Sequence, residues 1–267
     1  MMLLQSKRPS GPLKRQTNPS IAFPGLMKFA SIFTFLLLLP ATVMAGPGGK
    51  IAKAIFETFW GKVLLGFLTL VLLPLILWVM LKEYRAKKRA LKHLQVVGSA
   101  MPEFQWIKLL KRVKDCFTRI HDSWSKADVS TASDWMTSWY WQNQQLVYLD
   151  KWEREGLVNE CEVFKINKMN PILFSYQEMD GKPGEGSELA VLIDATMTDY
   201  LVRKTDGKIV EGSAKKKDVE RVWNFTYEDG RWLVSDIDEG SNSLSYVEAM
   251  KEVPPIEEVF EPARVRS

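Results

Sequence analysis

The chain has 267 residues, 36 of them Lys or Arg and 32 Asp or Glu, for a formal net charge of +4; at 46% hydrophobic and 11% aromatic it is too apolar for a disordered chain. Two cysteines, Cys116 and Cys161, and two histidines, His93 and His121, exclude a disulfide scaffold and a Cys- or His-rich metal centre. Residues 1–92 hold 14 basic and 2 acidic side chains (+12), whereas residues 93–267 hold 22 and 30 (−8), so the larger part repels phosphate backbones and nucleic acid is not an expected partner.

Residues 1–28 are basic and carry Pro9, Pro12, Pro19 and Pro24, which break the helix a mitochondrial presequence needs. They read as a disordered extension, with Met27 as an alternative start. Residues 29–45 are apolar and end in Val43-Met44-Ala45 before Gly46, which describes a signal peptide or a first membrane segment. A short external segment, 46–62, follows. Val63 to Leu81 is 19 residues without a charge, bracketed by Lys62 and Lys82. As a helix it spans about 28 Å, enough for one transmembrane crossing, and Pro74 is tolerable there.

Lys82 to Lys92 then holds six basic residues and one acidic. The positive-inside rule puts this cluster in the cytoplasm, and the basic residues before the first apolar segment with it. Residues 82–98 are therefore expected to be a basic cytoplasmic linker. Lys82, Arg85, Lys87, Lys88 and Arg89 form a stem on anionic headgroups, at about 1 kcal/mol per residue close to the surface. Membrane lipid is thus a partner, and the expected location is a bacterial inner membrane with the soluble domain cytoplasmic.

The soluble domain is expected over 99–245. Phe104, Ile107, Leu110, Val113, Phe117, Ile120 and Trp124 step by three and four along one helical face. A second helix is expected from about Ser133 to Glu155, closing at Gly156. The period then falls to two. Strands are expected at Cys161–Ile166 and Ile172–Gln177, joined near Asn170-Pro171, along Leu189 to Met197 and Val219 to Tyr227, and at Trp232–Ile237. Asp206-Gly207 and Asp229-Gly230 are hairpin turns. Helices followed by antiparallel strands give an α+β domain with helices on one face of a curved sheet. Residues 246–267 read as a mobile tail.

The loudest candidate site is aromatic. Trp135, Met136, Trp139, Tyr140 and Trp141 crowd one stretch, and at 100° per residue they cannot all face one way, so they are candidate contacts for a partner protein or lipid. Asp194, Asp199, Tyr200 and His121 are the groups available for acid–base work, but their spacing brings no two into one pocket. No catalytic residue, cofactor or metal is expected. Lys215-Lys216-Lys217 reads as a solvated charge run. The Gly-x-Gly pieces at Gly46 and Gly184 join no strand to a helix start.

Two stretches carry a family resemblance. Ala195, Met197, Asp199, Tyr200, Val210 and Gly212, followed by Trp223, Phe225, Gly230, Trp232, Leu233, Val234 and Ile237, match a strand with an A-x-M-x-D-Y core, a hairpin ending in V-x-G, then W-x-F and G-x-W-L-[LV]-x-x-I. In this the chain resembles the Tim-forty-four-like (Tim44-like) domain of mitochondrial inner-membrane translocase subunits and their bacterial relatives, over about residues 100–240. It departs from them at Val222, where the family often has Tyr, and in a larger loop at 180–188. The resemblance implies the cone-shaped barrel of nuclear transport factor two. It also implies a membrane-tethered, non-enzymatic domain binding proteins or translocating chains, in transport or complex assembly. A homo-oligomer is compatible with it. The rivals on the same fold are a secretion-complex scaffold with a periplasmic cone and an isomerase- or dehydratase-like enzyme.

Overall fold

The computed structural model describes residues 58–261; the extension 1–28, the segment 29–45 and residues 46–57 of the segment 46–62 lie outside the described residues. The described residues divide into two compact units, one ending at Tyr84 and one beginning at Arg85, and helix α1 (Phe59–Gly98) contributes to both. In the first unit α1 turns Phe67, Leu70, Leu77 and Met80 outward, so the apolar stretch has no core of its own. Among the described residues, α1 is the one helix long and apolar enough to cross a membrane.

The second unit is α+β. The last turns of α1 enter its core through Ala86, Ala90, Leu94 and Val97, a stripe stepping by four and three. A 3₁₀ turn (Pro102–Phe104) leads into α2 (Trp106–Ser125), and a second 3₁₀ segment covers Val129–Trp135. Helix α3 (Ser138–Gln144), a π turn (Gln145–Leu149) and α4 (Asp150–Arg154) then run on without interruption. The strands are β1 (Leu157–Ser175), β2 (Glu178–Met179), β3 (Lys182–Pro183), β4 (Glu188–Arg203), β5 (Ile209–Glu228) and β6 (Arg231–Glu239). Helices α5 (Ser243–Glu252) and α6 (Ile256–Val259) close the described chain.

Strands β1, β4, β5 and β6 form one antiparallel sheet in the order β1-β4-β5-β6. The sheet is open and no closed cone forms. Its outer edges are met by other groups: Thr137 N–H donates to the Val234 carbonyl on β6 (2.9 Å), and Ser125 Oγ donates to the Cys161 carbonyl on β1 (2.6 Å). Both faces of the sheet carry helices, not one. Trp223 stacks on Phe117 of α2 (ring centroids 5.0 Å apart), whereas the next residue, Asn224, donates from Nδ2 to the Tyr246 hydroxyl on α5 (2.9 Å). Consecutive strand residues point to opposite faces, so α2 and α5 lie on opposite sides.

Other expectations need correcting. The two strands expected before residue 178 are one strand. Pro171 lies within it opposite Val191, and a proline is tolerated because β1 is an edge. The second helix starts at Ser138, where the Thr137 hydroxyl accepts from Tyr140 N–H (3.4 Å), and Ser133 lies in the 3₁₀ segment before it. Ile107 is exposed and Leu110 half-buried, because the buried face of α2 runs through Leu109, Val113, Phe117, Ile120 and Trp124. Residues 85–98 are packed helix, not a linker. Residues 246–260 are not a loose tail: Tyr246, Val247, Met250, Ile256 and Phe260 are buried, and the Phe260 ring meets Tyr176 at 4.9 Å.

Candidate functional site

The aromatic stretch lies between Asp134 and Asp150, and the 15 residues from Trp135 to Leu149 include no charged side chain. Its two faces differ. Met136 and Tyr140 are buried in the core, which removes them from the candidate contact set. The cause is local: residues 136 and 137 bridge to Val234 on β6, and from the Thr137 cap onward Tyr140 and Gln144 follow at helical steps on the inner side. Trp135 is half-buried, with the Arg119 guanidinium 4.4 Å and that of Arg112 5.9 Å from its ring centre. Trp141 is half-buried against the core. Trp139 remains 38% exposed, and Leu146 (65%) and Val147 (47%) join it as outward apolar side chains that the sequence reading missed. Gln144 is fully buried, and neither its amide nitrogen nor its oxygen finds a partner among the described residues.

The basic stem divides in two. Lys82 Nζ sits 3.5 Å over the Trp78 ring, and Arg85 and Lys88 are exposed. Lys87 and Arg89 turn instead to the protein. Lys87 Nζ donates to Asn170 Oδ1 (2.7 Å), and the Arg89 guanidinium donates to the carbonyls of Lys251 (3.2 Å) and Val253 at the end of α5. Cationic donors suit the unsatisfied carbonyls of a helix C-terminus. Farther along, Lys92 pairs with Glu257 (2.8 Å). Of the five residues expected on headgroups, Lys87 is thus engaged with β1 and Arg89 with the C-terminal segment.

A polar cluster lies on the α2 side of the sheet. His121 packs among Phe117, Trp124 and Trp223 and is buried, not at the surface. Its Nδ1 is 2.7 Å from the Phe117 carbonyl, so Nδ1 carries the hydrogen. Burial lowers its pKa to about 4 against the opposing pull of that hydrogen bond and of Asp199. Asn159 Nδ2 donates to Asp199 Oδ1 (2.9 Å). Burial raises the Cys116 thiol to about 12 and pushes Cys161 up as well. Asp194 belongs elsewhere, in a network with Asn167, Thr196 and Asp218. Of the acid–base candidates, His121 and Asp199 are close enough to interact electrostatically, and Tyr200 follows Asp199 on β4, half-buried. An imidazole titrating near 4 is a weak base at neutral pH, and a thiol near 12 is a poor nucleophile. Among the described residues no group of His, Cys, Asp and Glu could hold a metal ion.

The family model described as Tim44-like domain matches residues 92–239, more than half of the chain. A crystal structure of the intermembrane space region of the chloroplast protein ARC6 is similar at 7% identity, covering 48% of this chain and 94% of that one, with a TM-score of 0.35. No curated protein matches the sequence. The structure extends the matched region at both ends, since Ala86 and Ala90 before it and Tyr246 to Phe260 after it share its core. The chain belongs to the Tim44-like domain family.

Proposed function

We propose that this protein is a membrane-anchored, non-enzymatic binding domain that holds partner proteins, or nascent and translocating chains, at the cytoplasmic face of a bacterial inner membrane. In this reading residues 63–81 cross the bilayer, Arg85 and Lys88 meet headgroups, and the domain from residue 85 onward carries the binding surface. The observation that carries it is the uncharged outer face of α3 and the π turn, where Trp139, Leu146 and Val147 stay exposed on a domain whose other large apolar side chains mostly have a core to enter. Exposed aromatic and aliphatic residues free of neighbouring charge favour a polypeptide partner. A non-enzymatic role is favoured by the low basicity of His121 and by the engagement of Asp199 with Asn159.

A photoreactive residue placed at Leu146 in living cells tests the reading. The expected result is crosslinking to a small, reproducible set of proteins that is lost when the same residue replaces Lys151. Equal patterns at both positions would refute it. The membrane face is tested separately: a C-terminal alkaline phosphatase fusion should be inactive, and an active one would favour the periplasmic scaffold.

A further inference from the structure

The β4–β5 hairpin runs past the core. Every residue from Arg203 to Lys217 is exposed or half-exposed. The segment holds Arg203, Lys204, Lys208, Lys215, Lys216 and Lys217 against Asp206 and Glu211, a net +4 within a region, 93–267, that carries −8. Near its end Ile209 and Val210 are 43% and 51% exposed.

The hairpin is nonetheless specifically built. Arg203 N–H donates to the Lys208 carbonyl (3.0 Å), Gly207 N–H to the Arg203 carbonyl (2.9 Å), and Lys204 N–H to the Gly156 carbonyl at the end of the helical run (2.8 Å). Asp206 is held by Arg203 (3.0 Å) and so does not oppose the lysines freely. Gly212 sits at φ +82°, where a Cβ would strike the Asp199 carbonyl and the Tyr200 backbone. Beyond it β5 bulges: Ser213 lies opposite Asp199 and Lys217 opposite Met197, so Ala214, Lys215 and Lys216 have one residue of β4 to face. Lys216 Nζ rests 3.6 Å over the ring of Phe164, itself displaced by a bulge of β1 between Val163 and Lys165.

A charge run that was merely solvated would need neither an ordered hairpin nor bare β-branched residues beside it. We propose that the 203–217 hairpin is a docking surface for an anionic phospholipid bilayer, with Ile209 and Val210 at the headgroup boundary and the lysines on phosphates. Charge complementarity selects an anionic partner. Lysines with aliphatic neighbours suit lipid, whereas single-stranded nucleic acid would need stacking rings, and the Phe164 ring beside these lysines is already covered by Lys216. The inference rests on the membrane-anchored reading only in that lipid is within reach of the domain.

The test is lysine acetylation mapped by mass spectrometry on the full chain in nanodiscs of phosphatidylcholine, with and without phosphatidylglycerol. Lys204, Lys208, Lys215 and Lys216 should label at least about three-fold more slowly in the anionic discs, while Lys126 and Lys151 are unchanged. Lys215→Gln with Lys216→Gln should reduce protection at Lys204 and Lys208 without altering the thermal melt. Equal labelling in both compositions overturns the proposal. If only Lys82 and Lys88 are protected, the hairpin proposal fails and the anchored reading stands. A chain that does not stay in the discs refutes the anchored reading, and the hairpin is then judged by the same protection criterion on vesicles of the same two compositions. Protection by poly-uridylate but not by phosphatidylglycerol overturns the proposal in favour of nucleic acid.

Discussion

His121 is neutral in the fold because water cannot reach it, and that gives a measurable pH dependence. Its folded pKa is near 4 and its ordinary value is 6.5. A histidine depressed on folding binds its proton more readily in the unfolded chain, so its contribution is complete above about pH 7. It is then lost progressively as pH falls from about 6.5 towards 4. Between pH 8 and pH 4.5 those two values correspond to roughly 2–3 kcal/mol. Carboxylates and His93, also lowered by burial, titrate over the same range, so the loss in the wild type alone proves nothing. The informative quantity is the difference between wild type and His121→Gln, each unfolded in denaturant at both pH values and followed by tryptophan fluorescence. The wild type should lose roughly 2–3 kcal/mol more than the variant. Equal losses would mean that His121 is not held neutral among Phe117, Trp124 and Trp223, and the argument against its use as a general base would fall with it.

Adjacent residues should respond oppositely. Tyr140→Ala should cost about 3 kcal/mol or more of stability, as for a fully buried ring, whereas Trp139→Ala should stay within about 0.5 kcal/mol and instead weaken crosslinking from Leu146. Ile256→Ala should destabilise the domain by about 2 kcal/mol or more, because Ile256 is fully buried; a change near zero in a thermal melt would restore the loose-tail reading. Gly212→Ala should cost more than about 1 kcal/mol, since both its φ and the Asp199 carbonyl oppose a side chain. The same substitution at Gly207, where a Cβ meets nothing within 4 Å, should cost less.

The change of period after Gly156 was legible in the sequence, and so were the turns at Asp206-Gly207 and Asp229-Gly230. Asp229 and Gly230 both take positive φ in a two-residue loop, as Asp-Gly pairs prefer. Asp180-Gly181 does the same between β2 and β3 but went unread, because strands two residues long leave no periodic pattern on either side. Pro171 was misleading, since its meaning depends on whether the strand is an edge, which is a tertiary fact. The aromatic site failed in the same way. Which tryptophan faces out depends on where the helix begins, and Thr137 starts it four residues later than Ser133 suggests. A uniform 100° step already puts Leu146 on the face of Trp139 but puts Val147 on that of the buried Tyr140; the π turn adds a residue to the turn and shifts the phase, so both face outward.

The basic stem shows why charge and phase must be read together. Membrane topology counts lysines and arginines without regard to the face they occupy, so Lys82 to Lys92 reads as one device. A helix sorts the same residues by angle. Ala86, Ala90, His93, Leu94 and Val97 fall on one stripe and are buried, while Arg85 and Lys88 fall off it and are exposed. Arg89 lies beside the stripe and reaches the carbonyls of Lys251 and Val253, and Lys92 meets Glu257. The stripe was present in the sequence all along at spacings of four and three, but alanines among lysines carry too little hydrophobicity to stand out against the charge. In the fold both alanines are buried in the same core as Ile256 and Phe260. The overall charge of +4 therefore combines at least three groups of basic residues: those exposed at the foot of the apolar helix, those that fasten the C-terminal segment, and a separate basic hairpin on a domain that is otherwise acidic.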